Sequence, residues 1–305
     1  MKNNKFNKGI ILTALGSFWW GVIGVIYFKF ISYTGSIEVV IHRCVWTAVM
    51  LIITTFYFSK WNIFFEIISN IRNITLLFFS SVLIFLNWAT WIYAVGNEKI
   101  IDASFGYFIM PILSVFLGYI FYDEKINQKR GLSIILVLIS IIFLLFKNFD
   151  SIPWVGIIVG VSWGLYNLIR KKVNVDTDIG LLIESLFILP FALLGFYLLY
   201  QNGQNYFSFN NIPLMFILML AGPMTVIPLF LYVRGVELSG LGPTGMIFYI
   251  TPTFQFLLGF FYYNETFSLD KSLSFILIWI AVIIGIFTAL KRKRTQLKES
   301  DTIGV

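Results

Sequence analysis

The sequence has few charged residues, one cysteine and one histidine. Only 12% of its 305 residues are Asp, Glu, Lys or Arg, whereas 58% are hydrophobic and 33 are Phe. A water-soluble domain carries about twice as much charge, so the composition excludes an ordinary soluble protein. Cys44 cannot form an internal disulfide, and one His with one Cys cannot build a typical metal site. Neither a metal nor another cofactor is therefore expected.

Motifs of common enzyme classes are also missing from the sequence. The chain has no Gly-rich phosphate-binding loop, no Gly-x-Ser-x-Gly and no His-Glu-x-x-His. We therefore expect a protein that is not an enzyme. The net charge of +7 could indicate a nucleic-acid partner. The basic residues follow the pattern of membrane loops instead, so no nucleic-acid binding is expected.

Apolar segments long enough to cross a bilayer recur along the whole chain. A transmembrane helix needs roughly 17–25 mostly apolar residues, and the connections between these segments are brief and polar. The first segment is too long for the hydrophobic region of a cleavable signal peptide. The ten predicted spans are Gly9–Ile31, Ile37–Phe58, Ile74–Val95, Ile101–Tyr122, Gly131–Phe146, Pro153–Ile169, Ile179–Tyr200, Pro213–Val233, Leu241–Tyr263 and Lys271–Leu290. The sequence thus predicts an all-α integral membrane protein, with the lipid bilayer as its surroundings.

The Lys and Arg residues predict which way the chain faces. If the N-terminus is cytoplasmic, seventeen of the 22 basic residues lie on the cytoplasmic side, four lie on the other side and Arg43 lies within a span. Cytoplasmic loops of membrane proteins carry the excess of Lys and Arg. We therefore predict a multi-pass protein of the inner (plasma) membrane with both termini in the cytoplasm.

Two stretches of the chain repeat each other with identical spacing. The series Pro-x6-Gly-x5-Glu begins at Pro111 and again 141 residues later at Pro252. A Trp-Gly pair near the start of each half, at Trp20 and at Trp163, is a weaker match. The chain therefore divides into a first unit of residues 1–148, a second unit of residues 149–290 and a basic cytoplasmic tail of residues 291–305. Because each unit has five spans, an odd number, we predict ten transmembrane helices in two inverted-topology five-helix repeats.

The second predicted span carries three ionisable residues. Glu38 and His42 are four residues apart and share one helix face, and Arg43 lies one position further on. Ionisable groups within a span are costly unless they are paired or face water. One interpretation is a substrate or proton site, in which Glu38 or His42 carries protons and Arg43 attracts an anionic group. The alternative is a stabilising pair of Glu38 with His42 or Arg43 in the outer headgroup region.

Other polar and aromatic residues of the predicted spans are further candidates for substrate binding or proton coupling. A buried amide such as Asn87 needs a partner, and Glu184 could serve either a function or anchoring near the cytoplasmic end of its span. Aromatic residues at such spacing usually pack or lie at the membrane interface, which is their alternative role. These candidates are Asn87, Trp88, Tyr93, Asp102, Tyr107 and Glu184.

Several residues near span ends or inside spans have a structural interpretation. Asp102 begins the fourth span, where capping of the helix N-terminus is favoured over substrate binding. Glu124 and Glu265 end their helices at opposite membrane faces and are interpreted as structural. Pro111 and Pro252 interrupt the hydrogen bonding inside the fourth and ninth spans. We predict matching kinks near the middle of the membrane, which would suit a substrate cavity, with ordinary packing around tolerated prolines as the alternative.

Several motifs along the chain occur together in one known family. They are Glu38-x-x-x-His42-Arg43-x-x-Trp46, Asn87-Trp88, Tyr93-Ala94-Val95, Asp102-Ala103-Ser104-Phe105-Gly106-Tyr107, Gly180-Leu181 with Glu184, and Tyr249-Ile250-x-Pro252-Thr253. With these motifs the chain resembles the RarD branch of the EamA-type transporters in the drug/metabolite transporter superfamily, from about Gly9 to Leu290. The resemblance implies two inverted repeats around a central cavity, a small-molecule substrate and Tyr249 as a further site residue.

Three positions depart from the pattern of similar sequences. Asp102 stands in place of Glu, Met110 in place of Asn and Phe248 in place of Gln. The last two changes remove polar groups near the expected cavity, so they favour a more apolar or a different substrate.

The leading functional expectation is a secondary transporter, or permease, that moves a small organic metabolite or drug-like molecule by alternating access. Whether this transport is coupled to protons is left open. The alternatives are a passive channel, a lipid-handling membrane protein and an intramembrane enzyme. The missing motifs count against the enzyme, whereas a channel could share the inverted repeat.

Overall fold

Helices make up nearly all of the chain in the computed structural model, which describes residues 2–122, 128–147, 153–173, 175–239, 244–245 and 247–284. None of these residues lies in a β-strand, so the prediction of an all-α protein is confirmed for them. The predicted basic tail, residues 291–305, and Glu124 lie outside the described residues. The α-helices are α1 Lys2–Phe18, α2 Gly24–Phe30, α3 Ser36–Tyr57, α4 Trp61–Ser69, α5 Ile71–Gly96, α6 Ile100–Tyr122, α7 Gln128–Lys147, α8 Trp154–Val173, α9 Thr177–Gln201, α10 Ile212–Met219, α11 Ala221–Ser239, α12 Ile250–Leu257 and α13 269–284.

Five helical stretches among the described residues are long and apolar enough to cross a membrane. They are Lys5–Phe30, Ser36–Tyr57, Ile71–Gly96, Thr177–Gln201 and Phe209–Ser239. The first stretch joins α1 to α2 through a π-helical turn, Trp19–Ile23. These stretches coincide with the first, second, third, seventh and eighth predicted spans. The other five predicted spans fall on α6, α7, α8, α12 and α13, which are shorter, more polar or only partly described.

Side chains are distributed between surface and interior as in a membrane protein. Phe56 and Phe191 are 75% and 72% exposed, whereas Glu38, His42 and Glu184 are at most 2% exposed. Lipid solvates apolar side chains well and charged groups poorly, so charged groups of a membrane helix face the protein interior. The ionisable candidates therefore lie inside the helix bundle.

One connection between predicted spans is a helix instead of the brief polar loop that we expected. Helix α4 follows directly on α3 and packs against α5 and α9. Ile67 is buried on the packed side, while Phe65 and Glu66 are exposed. The helix was missed because its nine residues are too few for a span.

The two halves of the chain pack against each other in reciprocal pairs of helices. α1 packs along α11, and α5 packs along α8. Likewise α6 packs on α8, and α12 packs on the π-helical turn after α1. The predicted repeat matches α1, α5 and α6 with α8, α11 and α12. Under this match the contact of α1 with α11 corresponds to that of α5 with α8, and the contact of α6 with α8 corresponds to that of α12 with the π-helical turn. Helices that the predicted repeat matches thus have matching neighbours.

The tightest of these contacts brings the backbones of α6 and α8 together. A Cβ atom added to Gly106 would overlap the carbonyl oxygen of Gly156, and a Cβ on Gly156 would overlap the carbonyl oxygen of Asp102. Close backbone approach through small residues is a common way for membrane helices to associate. Glycine is therefore required at both positions.

Replacing Gly106 by alanine is expected to destabilise the protein by about 1–3 kcal/mol, because the new methyl group meets backbone that cannot rotate away. Thermal unfolding of the purified protein, followed by tryptophan fluorescence, measures the effect. Gly245→Ala is the matched control, since a Cβ at Gly245 meets no atom of the described residues within 4 Å. Equal unfolding temperatures of the two variants would contradict the prediction.

Candidate functional site

Ion pairs between helix ends and their connections define two ends of the helix bundle. At the Lys60 end, Lys60 Nζ lies 2.8 Å from Asp178 Oδ2 and 3.4 Å from Asp176 Oδ2. At the Glu38 end, Lys271 Nζ lies 2.8 Å from Asp102 Oδ1. Each pair joins the first half of the chain to the second. The pairs also bring together parts of the chain that the predicted topology places on the same side of the membrane.

Glu38 holds the backbone of the segment before α10. Its Oε1 accepts hydrogen bonds from the backbone N–H groups of Tyr206 at 2.7 Å and Phe207 at 3.0 Å, and its Oε2 accepts a further one from Tyr206 at 3.0 Å. The carboxylate is 2% exposed. Three bonds to backbone donors compensate the burial of its charge. Glu38 therefore joins the start of α3 to a loop of the second half.

His42 lies beside Glu38, and its hydrogen bonding defines which ring nitrogen carries the proton. The indole N–H of Trp46 donates to His42 Nδ1 at 3.1 Å. Because Nδ1 accepts, the hydrogen of the neutral ring is on Nε2, which lies 3.6 Å from Glu38 Oε1. The ring of Phe207 also lies against the imidazole, with centroids 4.9 Å apart. Glu38 and His42 thus share one cluster, as predicted from their spacing.

Arg43 points away from Glu38 into a box of three aromatic rings. Its Cζ lies 5.1 Å from the ring centroid of Phe28, 4.7 Å from that of Trp88 and 5.4 Å from that of Trp91. We call this arrangement the Arg43 box. The residue is 8% exposed, and among the described residues its Nε and Nη1 have no hydrogen-bond partner. The guanidinium is therefore surrounded by aromatic rings, and no carboxylate among the described residues pairs with it.

Asn87 joins α5 to α8 and to α6. Its Nδ2 donates to the Val159 carbonyl oxygen at 3.0 Å and to Ser162 Oγ at 3.2 Å, while its Oδ1 accepts from the Tyr107 hydroxyl at 3.4 Å. The amide is 1% exposed and has the partners that a buried amide requires. Asn87 and Tyr107, two predicted site residues, are thus in direct contact.

Glu184 is the centre of a second polar cluster. It is 0% exposed and accepts hydrogen bonds from Ser80 Oγ at 2.5 Å and from the Tyr166 hydroxyl at 3.0 Å. Arg170 Nη1 lies 3.7 Å from its Oε1. The cluster combines helices of both halves, because Ser80 lies on α5. A Cβ at Gly180 would overlap the Arg170 guanidinium, so a larger residue there would displace that side chain from its place beside Glu184.

Arg43 and Glu184 occupy matching positions in the two halves. Each lies seven residues after the first residue of its helix, Ser36 of α3 and Thr177 of α9. At 1.5 Å per residue, each is about 10 Å along its helix. α3 begins at the Glu38 end and α9 at the Lys60 end. Two opposite charges therefore lie at similar depths from opposite ends of the bundle.

The capping role predicted for Asp102 is taken by Glu265 instead. The backbone N–H groups of Ile100 and Ile101 donate to the Glu265 carboxylate at 2.8 Å each, whereas Asp102 pairs with Lys271. Glu265 is 6% exposed, and burial raises the pKa of its carboxyl although the two backbone donors oppose this. Its structural interpretation agrees with these bonds.

Tyr93 and Tyr249 lie apart from the two polar clusters. Tyr93 is 43% exposed, and Lys99 Nζ lies 5.6 Å from its ring centroid. This position is typical of an aromatic residue at the membrane interface. Tyr249 stacks on Phe108, with centroids 6.3 Å apart. Both residues therefore make ring contacts outside the two polar clusters.

The two predicted kink prolines have different surroundings. Near Pro252 the helical hydrogen bonding is interrupted, because the Phe248 carbonyl oxygen accepts from Thr251 N–H at 2.9 Å and α12 begins only at Ile250. Pro111 lies within the helix Ile100–Tyr122. A pair of matching kinks stays a prediction.

Sequence reasoning named Tyr107 and Phe248 separately but did not predict the group of rings that we call the central aromatic cluster. The Phe248 ring lies 6.3 Å from Trp20, 5.7 Å from Tyr232 and 6.3 Å from Tyr107, and Tyr107 lies 6.5 Å from Trp163, all between centroids. Helices of both halves contribute, yet every ring except Phe248 is partly exposed. Trp20 and Trp163 stood in the repeated Trp-Gly pair, which was the signal available for these two residues.

An apolar helix bundle with charged and aromatic groups inside is typical of membrane transporters. Among the described residues, no group of three or more His, Cys, Asp or Glu could hold a metal ion. The model of the EamA-like transporter family matches residues 7–146. A solved crystal structure with 12% identity shares the fold, with a TM-score of 0.52 over 92% of this chain and 96% of that one.

Curated relatives extend this match over nearly the whole chain. An uncharacterized transporter of Bacillus subtilis, YojE, is 33% identical over 97% of this chain and 99% of its own length. The protein RarD of Escherichia coli is 31% identical over 98% of this chain and all of its own length. RarD of Salmonella typhi is also 31% identical, over 97% of this chain. The chain belongs to the EamA-like transporter family, in the branch that contains RarD.

Proposed function

We propose that this protein is a secondary transporter that moves a small organic metabolite or drug-like molecule across the inner membrane by alternating access between two inverted five-helix repeats. The observation that carries the proposal is the reciprocal packing of the two halves, which an inverted repeat requires. Family membership supports transport over enzymatic catalysis.

Ionic contacts between the halves support motion at both ends of the bundle. Lys60 with Asp178 joins the halves at one end, and Asp102 with Lys271 joins them at the other. In alternating access these contacts would open in turn while substrate is released to each side. The basic bias of the loops supports a cytoplasmic location for the Lys60 end and for both termini.

Cross-linking either end is expected to abolish transport and cleavage of the cross-link to restore it. Cys44→Ala removes the single native thiol, after which Lys60→Cys with Asp178→Cys, or Asp102→Cys with Lys271→Cys, is joined by a cleavable bifunctional thiol reagent. Uptake and counterflow into proteoliposomes are measured with metabolites selected by thermal stabilisation of the purified protein.

The matched control for this experiment is the pair Arg234→Cys with Glu237→Cys. These exposed residues lie on one helix and form an ion pair there, so their cross-link should leave uptake unchanged. Uptake that persists with both ends cross-linked would refute alternating access, and uptake without counterflow would indicate a channel.

A further inference from the structure

We propose that the Arg43 box binds the carboxylate group of a small organic monoanion with an apolar body. This inference rests on the proposed transport function and names the chemical class of its substrate. It also assigns Phe28 and Trp91, together with Trp88, to the binding site.

The first argument is that Arg43 is buried without a counter-charge. The residue is 8% exposed, and its Nε and Nη1 donors have no acceptor among the described residues. Burial of an unpaired ion is strongly unfavourable. The buried carboxylates of Glu38 and Glu184, by contrast, have backbone N–H donors or Arg170 beside them. Among the described residues Arg43 thus lacks a hydrogen-bond acceptor, which a bound ligand could supply.

The second argument is the geometry of the surrounding rings. Three ring centroids within 5.4 Å of Cζ stabilise the cation through their quadrupoles. Aromatic rings contain no strong hydrogen-bond acceptor, so they leave the N–H donors of the guanidinium available. A planar carboxylate can accept from two of these donors at once. The box therefore holds the cation in place and leaves its hydrogen bonding to a ligand.

The third argument concerns the charge and body of the ligand. The contacts of the box supply one positive charge and apolar surface, which match a monoanion with an apolar body better than a phosphate dianion. The central aromatic cluster is linked to this part of α5 through Asn87, the residue before Trp88, whose Oδ1 accepts a hydrogen bond from the Tyr107 hydroxyl. Partly exposed Trp163 follows at 6.5 Å from Tyr107. These rings would contact the body of the ligand.

Equilibrium binding to the purified full-length protein tests the proposal without a transport assay. The probes are acetate, benzoate and phenylacetate, each compared with its neutral amide, and sodium chloride. We expect at least one carboxylate to bind about tenfold more tightly than its amide, because charge-assisted hydrogen bonds are lost with the charge. Binding is read from the rise in unfolding temperature and from tryptophan fluorescence.

Variants assign the binding to Arg43. Arg43→Gln should abolish the preference for the acid over the amide, and Arg43→Lys should weaken it because the planar donor group is lost. Arg234→Gln, at an exposed arginine, should leave it unchanged. The acid–amide comparison on the unmodified protein stands even if an Arg43 variant does not fold.

The outcomes separate this inference from the proposed function. Equal binding of every acid and amide, absence of binding by all three acids, or an equal effect of chloride would overturn the carboxylate site. If cross-linking of the ends still blocks uptake of another metabolite, the transporter stands. If a carboxylate binds through Arg43 but the cross-links leave uptake unchanged, the binding site is supported and alternating access is refuted.

Discussion

Replacing Glu184 by alanine is expected to lower the free energy of unfolding by about 3–5 kcal/mol. The substitution removes the carboxylate that faces Arg170 and leaves a buried guanidinium without a counter-charge. It also removes the acceptor for the Ser80 and Tyr166 hydroxyl groups. Denaturant or thermal unfolding of the detergent-purified protein measures the loss.

Two comparisons isolate the contribution of the buried charge. Glu184→Gln keeps the volume and one acceptor, so its effect should be smaller than that of alanine. Glu237→Ala breaks a pair with Arg234 whose side chains are 63% and 51% exposed, and exposed pairs contribute only about 0–1 kcal/mol. The idea of a buried charge pair fails if Glu184→Ala is no more destabilising than Glu237→Ala.

Replacing Glu38 by alanine is expected to destabilise the protein by about 3 kcal/mol or more. The carboxylate accepts from the backbone N–H groups of Tyr206 and Phe207, and hydrogen bonds to a charged group contribute about 1.5–3 kcal/mol each. Without Glu38, the loop before α10 loses its attachment to α3. Amide hydrogen exchange should therefore become faster at residues 206 and 207.

The exchange measurement separates this local role from a general loss of stability. In Glu38→Ala, the amides of α6, such as that of Ile109, should change less than those of Tyr206 and Phe207. Glu66→Ala, at an exposed glutamate of α4, is the control and should leave residues 206 and 207 protected. Unchanged protection in Glu38→Ala would show that the three hydrogen bonds do not hold the loop.

The helical class and the main spans were predictable because their signal is local. Twenty or so apolar residues in a row define a membrane helix wherever they occur, and α3, α5 and α9 lie within a few residues of their predicted bounds. The i, i+4 spacing of Glu38 and His42 likewise predicted their contact. Short amphipathic α4 has no such signal.

The partners of the charged residues could not be predicted, because they are distant in the sequence. Nothing in the sequence joins Glu38 to Tyr206 or Glu184 to Ser80, since side-chain hydrogen bonds between helices depend on helix rotation. The Arg43 box shows the same problem in another form. Phe28 is one of 33 phenylalanines, and its position beside a guanidinium has no local pattern. Interhelical packing determines the site, whereas composition determines the helices.

The contact between Gly106 and Gly156 bears on which helices would move together in the proposed transport cycle. Backbone in contact with backbone has no side chains that could rearrange, so α6 and α8 are expected to move together as one rigid body. One of these helices belongs to the first half of the sequence and the other to the second. In the proposed transport cycle, the boundary between moving parts would therefore differ from the boundary between the two predicted repeats, and the two halves, if expressed separately, would each lack part of a moving unit.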